Sequence, residues 1–166
     1  MSRVYTRAHE PMLIEWLTKN YPPGSWTSNV RLGAPDPQLQ AVATTPEERR
    51  MLMIALHTCD AVVLTTDKVT IVEVATEPKV EKVCQCELYG HLFRETEQFK
   101  AHWNKPIDLI ILSTVESDLI RWFAEKHGVR WVVYVPLWWE AHIRTRQARK
   151  FTAPGVQAPG GAEVRT

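Results

Sequence analysis

Residues 107–114, IDLIILST, form an almost unbroken apolar run. A strand of this composition has no solvent face and must be covered on both sides. In a short chain that means helices packed over a sheet. Residues 116–127 supply one, with Leu119, Ile120, Trp122 and Phe123 expected inward and Gly128 placed as a C-cap. VRWVVYV follows as the last strand. Strand, helix of about three turns and strand make a crossover unit, so these two strands are expected to be parallel.

The preceding residues read as mixed α/β. HEPMLIEWLTK has Pro11 where a first helical turn tolerates it and Leu13, Ile14, Trp16 and Leu17 at helical spacing. WTSNVRLG is a strand closed by Gly33, and APDPQLQAVAT reads as a loop. Thr45, Pro46 and Glu48 form a capping-box helix start, and Met51, Leu52, Ile54, Ala55 and Leu56 predict a packed helix running to about His57. Asp60–Thr65 and Val69–Ala75 are rich in Val, Ile and Thr and read as strands around a TTDK turn. From Val80 to about Glu97 the pattern is helical, with Val83, Leu88, Leu92 and Phe93 on a broad face. The order is α β α β β α β α β, a mixed sheet with an antiparallel hairpin at its centre and a parallel edge.

At 166 residues the chain can bury one sizeable core. We expect an α/β domain over residues 1–141 and a basic arm with a Pro/Gly-rich tail over residues 142–166. A net charge of +1 gives no global basic field, although a local groove can still be basic. No apolar run approaches the roughly 20 residues needed to cross a bilayer, and MSRVYTRAHEP lacks the apolar centre of a signal peptide. The expected location is the cytoplasm or a particle assembled there, such as a phage particle, with no membrane contact. Cys59, Cys84 and Cys86 do not make an even framework and read as reduced thiols, and the histidines lack metal-binding spacing.

Two carboxylates stand out in the hairpin. If it turns symmetrically about Thr66 and Asp67, Leu64 pairs with Val69 and Asp60 with Glu73. Directly opposed residues in an antiparallel pair have Cβ atoms about 4.5–5.5 Å apart and share a face. Like charges so placed destabilise a sheet, and lost hydration adds to the cost. A divalent cation such as Mg²⁺, typically held by one or two carboxylates and several waters, relieves both. A second reading also fits: Asp60 begins a strand and Glu73 faces solvent. A one-residue slip would put the two on opposite faces.

With Asp60 on one strand, IVEVA on the next and QCELYGHLF on the following helix, the chain resembles the PD-(D/E)XK nuclease superfamily, especially its Gln-xxx-Tyr branch, represented here by Gln85 and Tyr89. The resemblance spans roughly residues 8–137 and implies an αβββαβ core with an inserted helix and a C-terminal tail. It implies Asp60 and Glu73 as Mg²⁺ ligands, Glu15 as an outer ligand, and Gln85 and Tyr89 as orienting the site or the nucleic-acid backbone. The family's lysine, two residues after the strand glutamate, is replaced by Ala75. A lysine displaced to Lys82 or Lys79 can compensate; both also read as surface lysines.

Trp16, Trp122 and Trp131 sit in apolar patterns and are expected in the core, whereas Trp138 and Trp139 are candidate interface anchors or a closure for one end of the core. Arg144, Arg146, Arg149 and Lys150 can contact phosphate or a partner. Two main functions follow, with a non-catalytic nucleic-acid-binding module as a third. One is a catalytically degenerate nuclease-fold adaptor, bound to protein partners in a larger assembly through the arm and tail. The other is a Mg²⁺-dependent nuclease acting on DNA, with a migrated lysine.

Overall fold

In the computed structural model, the backbone is described for residues 9–151 and side chains for residues 9–145; the expected tail, and the side chains of Arg146, Arg149 and Lys150, lie outside that range. The chain divides into two units, residues 1–134 and 135–166. The division falls earlier than residue 141 because the last hydrogen bond to the sheet is Tyr134 N–H to Ser113 O, 2.7 Å. Within the second unit Trp139 N–H donates to Pro136 O and His142 N–H to Trp138 O.

The first unit is a five-stranded mixed sheet in the order β1-β2-β3-β4-β5. Helix α1 (His9–Asn20) leads into β1 (Trp26–Leu32), then α2 (Pro37–Val42), α3 (Pro46–Ile54), β2 (His57–Leu64) and β3 (Val69–Ala75). Helix α4 (Val80–Phe93) and a 3₁₀ helix (Glu97–His102) precede β4 (Ile107–Ser113), α5 (Asp118–Lys126) and β5 (Val129–Val133). Strands β1, β2 and β3 are antiparallel, and β3, β4 and β5 parallel. This is the expected α/β class: α1, β1, β2, β3, α4 and β4 give the αβββαβ order, with α2 and α3 inserted. The second unit contains α6 (Trp139–Phe151). No described helix is long and apolar enough to cross a membrane.

The hairpin has the register its turn implies. Thr65 N–H bonds to Lys68 O at 3.0 Å, and the pairs run from Leu64↔Val69 to Ala61↔Val72. Every residue of β3 is buried, as a central strand covered on both faces requires. One face carries Val69 and Ile71, packed with Tyr89 and Phe93 of α4, and Ala75, packed near Val83 and Cys86. Thr70, Val72 and Val74 alternate to the opposite face, and Met12, Leu13, Trp16 and Leu17 of α1 are buried as well. Thr96 Oγ1 pins the end of β1 to α4, accepting from Gly33 N–H at 2.8 Å and donating to Leu92 O at 2.7 Å.

Several sequence expectations change. Asp36 and Pro37 start a short helix where a loop was expected: the Asp36 carboxylate accepts from Gln38 N–H, and proline occupies the first turn. Helix α3 has its full capping box but ends at Ile54 and buries nothing, leaving Met51 64% exposed. It packs against the neighbouring α2, which buries nothing either. Helix α4 ends at Phe93 and buries Val83, Cys86, Tyr89 and Phe93, leaving Leu88 exposed. Ile14 of α1 is likewise exposed. Helix α5 is turned so that Ile120 and Ala124 are buried while Leu119 and Trp122 stay 70% and 55% exposed. Its apolar stripe is wider than the contact it makes. Trp16 and Trp131 are in the core as expected.

The burial contrast is measurable by urea denaturation. Phe93→Ala should cost about 3–5 kcal/mol through cavity formation. Met51→Ala should stay within about 0.5 kcal/mol of the parent, as substitutions at exposed positions do.

Candidate active site

The C-terminal half of β3, the middle of β2 and the first turns of α4 converge on Glu73. Its carboxylate is 3% exposed. Oε1 accepts from Lys82 Nζ at 2.6 Å, and Oε2 accepts from the Asp60 N–H at 3.4 Å. The Asp60 carboxylate accepts in turn from Val74 N–H at 2.7 Å. The hairpin register places Asp60 opposite Glu73, but the regular ladder stops at Ala61↔Val72. Side-chain-to-backbone bonds in both directions take the place of the last pair.

Burial raises the Glu73 pKa, and the Asp60 charge raises it further, to about 7, against the opposing pull of the Lys82 hydrogen bond and charge. Lys82 is one-third exposed and brings its ammonium from the helix to the buried carboxylate. Lys79, by contrast, pairs with Glu77 at 2.8 Å in solvent. Both lysines line an open cleft of about 230 Å³ together with His9, Asp60, Val74, Ala75, Thr76 and Glu77.

Gln85 and Tyr89, one turn apart on α4, are hydrogen-bonded to each other, and the Tyr89 hydroxyl donates to Thr58 O at 2.9 Å. Burial first, then the Glu73 charge, holds the Tyr89 phenol well above its ordinary pKa, so it acts as a neutral donor. The pair fastens α4 to the start of β2 and so fixes the turn that carries Lys82. Burial likewise raises the Cys59 thiol, and the Cys86 thiol to about 12, which makes both inert. All three cysteines are free.

Glu15 is not among the residues that line the two cavities bordered by Asp60. It pairs with Lys19 at 2.6 Å and accepts from the Tyr134 hydroxyl. Of the α1 residues, His9 lines the cleft, and Glu10, Leu13 and Ile14 line a small cavity with Asp60. His9, Glu10 and the Val74 N–H were not found by sequence reasoning; the only signal was their position at a helix start and beside the strand glutamate. In the second unit, Trp138 and Trp139 are half-buried, Trp139 stacks on His142, and the exposed Arg144 pairs with Glu140 at 3.2 Å.

Among the described residues, no group of three or more His, Cys, Asp and Glu side chains is arranged to hold a metal ion. The chemistry of Asp60 and Glu73 still fits a hard cation that retains most of its water: two carboxylates, one buried, whose mutual repulsion such an ion would relieve.

No family model and no curated protein matches this chain. Among solved structures, a repair endonuclease from Pyrococcus abyssi is similar over 76% of this chain, with 12% identity and a TM-score of 0.45. The matched region covers 47% of that protein, so the chain spans about half its length. The functional reading rests on the geometry of the site itself.

The buried pair makes stability depend on pH. Folded Glu73 keeps its proton to about pH 7, whereas the unfolded side chain releases it near 4.5. Across that window the folded state binds more protons, so stability falls as pH rises. In urea denaturation with a chelator present, the parent should lose about 2–3 kcal/mol relative to Glu73→Gln between about pH 5 and pH 8. A constant difference between the two proteins would refute the coupled site.

Proposed function

We propose that the chain is a metal-dependent nuclease of the PD-(D/E)XK kind, cleaving DNA phosphodiesters, with its catalytic lysine supplied by α4. The observation that carries this reading is Lys82 Nζ lying 2.6 Å from Glu73 Oε1, at a carboxylate pair whose strand has Ala75 in place of the family lysine. Asp60 and Glu73 would hold Mg²⁺. When bound, the ion supplies an activated water and charge stabilisation at the scissile phosphate.

The chain's own groups have separable tasks. Lys82 compensates the buried Glu73 charge and sets a cation at the cleft, where negative charge develops on the phosphoryl oxygens. Gln85, Tyr89 and Thr58 O hold the helix that carries it. Val74 N–H orients the Asp60 carboxylate. Arg144, with Arg146, Arg149 and Lys150 from the same segment, would add phosphate contacts, each of which steepens the salt dependence of binding.

A second reading has its own support. Pairing of the buried Glu73 carboxylate with the Lys82 ammonium, the partner a site without a metal would keep, favours a degenerate site retained as an ion pair. The chain would then be an adaptor in a larger assembly such as a phage particle, with Trp138, Trp139 and the basic segment as its docking elements.

Incubation with linear, circular and single-stranded DNA and with RNA, in Mg²⁺ and in Mn²⁺, separates the two. The nuclease reading expects cleavage that Asp60→Ala combined with Glu73→Ala abolishes. Lys82→Ala should lower the rate by about 10²–10³-fold, as loss of a charge-stabilising group does, while Lys79→Ala stays within a few-fold of the parent. No cleavage, with no Mn²⁺ binding by calorimetry, would leave the adaptor reading.

A further inference from the structure

The strand carrying Asp60 is irregular at that residue. Cys59 and Val62, three positions apart, both belong to the core on the α4 side, although side chains three apart on a regular strand point to opposite faces. The irregularity is matched on β1. Its pairing with β2 includes Ser28↔Ala61 and Val30↔Cys59 but skips Asn29 and Asp60. Asn29 has φ +53°, the one positive φ among the described non-glycine residues. Neither ladder next to Asp60 is therefore complete, since β3 also stops one pair short. In exchange, the Asp60 N–H faces Glu73 and its carboxylate receives the Val74 N–H.

A left-handed residue in the middle of a strand is costly for most side chains, and Asn is among the few that adopt it readily. Conformations of this kind persist where the surrounding structure enforces them, often beside functional sites. We propose that Asn29 is a positioning residue: its left-handed backbone breaks the β1–β2 ladder and swings Asp60 out of regular pairing, so that its carboxylate sits at the cleft. The role in catalysis rests on the nuclease reading above; the role in placing Asp60 does not.

The test uses the full chain with Asn29→Val, which disfavours the left-handed region, and Asn29→Gly and Asn29→Asp, which tolerate it. Asn29→Ala is the milder substitute if Asn29→Val does not fold. Amide exchange of Val74 N–H, followed by NMR, should speed up about tenfold in Asn29→Val, with β4 amides unchanged, and remain at the parental rate in the Gly and Asp variants. In DNA cleavage with Mn²⁺, kcat should fall about tenfold in Asn29→Val with KM unchanged, and the Gly and Asp variants should restore it. Parental exchange in Asn29→Val, or Asn29→Gly as impaired as Asn29→Val, would overturn the proposal. If the parent neither cleaves nor binds Mn²⁺, the nuclease reading fails by itself and exchange at Val74 still decides the role of Asn29.

Discussion

A carboxylate with almost no solvent access must be answered by the groups around it, and the first unit is arranged around how Glu73 is answered. Its strand is covered on both faces, so water cannot stabilise the charge. An ammonium from α4 reaches one oxygen and a backbone N–H from β2 faces the other. These partners only partly offset burial and the neighbouring Asp60 charge, and the carboxyl keeps its proton to about pH 7. A further positive charge beside the pair would offset the same two effects. That link runs directly from packing to chemistry.

The fold delivers these partners through ordinary means. The hairpin turn sets the β2–β3 register, and the parallel β3–β4 pairing buries β3 from the side away from the turn partner. Val83, Cys86, Tyr89 and Phe93, spaced at helical intervals, lay α4 along the sheet. Lys82, one residue before the first of them, is thereby directed to the end of β3. The Gln85–Tyr89–Thr58 chain then locks the rotation of the helix. A rotation by one residue would carry the ammonium away.

Much of this was legible in the sequence, for local reasons. The TTDK turn implied the hairpin register, IDLIILST implied a doubly covered strand, and Lys82 was a candidate because it shares a helix with Gln85 and Tyr89. What escaped depends on packing that no local pattern encodes. Helix α3 carries a complete capping box, yet its apolar side stays exposed: a cap signals where a helix starts and not what the helix packs against. Trp122 and Ile120 look equivalent in a broad stripe, and only the seat of α5 separates them. Residue spacing alone does not say which turn of α1 reaches the cleft, so His9 and Glu10 had no signal of their own. Asn29 is permitted, not compelled, to take a left-handed conformation, so the break in the strand at Asp60 could not be read from residue types. Asp36 and Pro37 are different: the helix-start signal was present there and pointed to α2.

Crystals soaked in Mn²⁺ and recorded at its absorption edge offer the most direct check. The expectation is one anomalous peak between the carboxylates of Asp60 and Glu73, with the Lys82 ammonium still at the cleft. Density with no such peak at saturating Mn²⁺, and Lys82 remaining the sole counter-charge of Glu73, would contradict it.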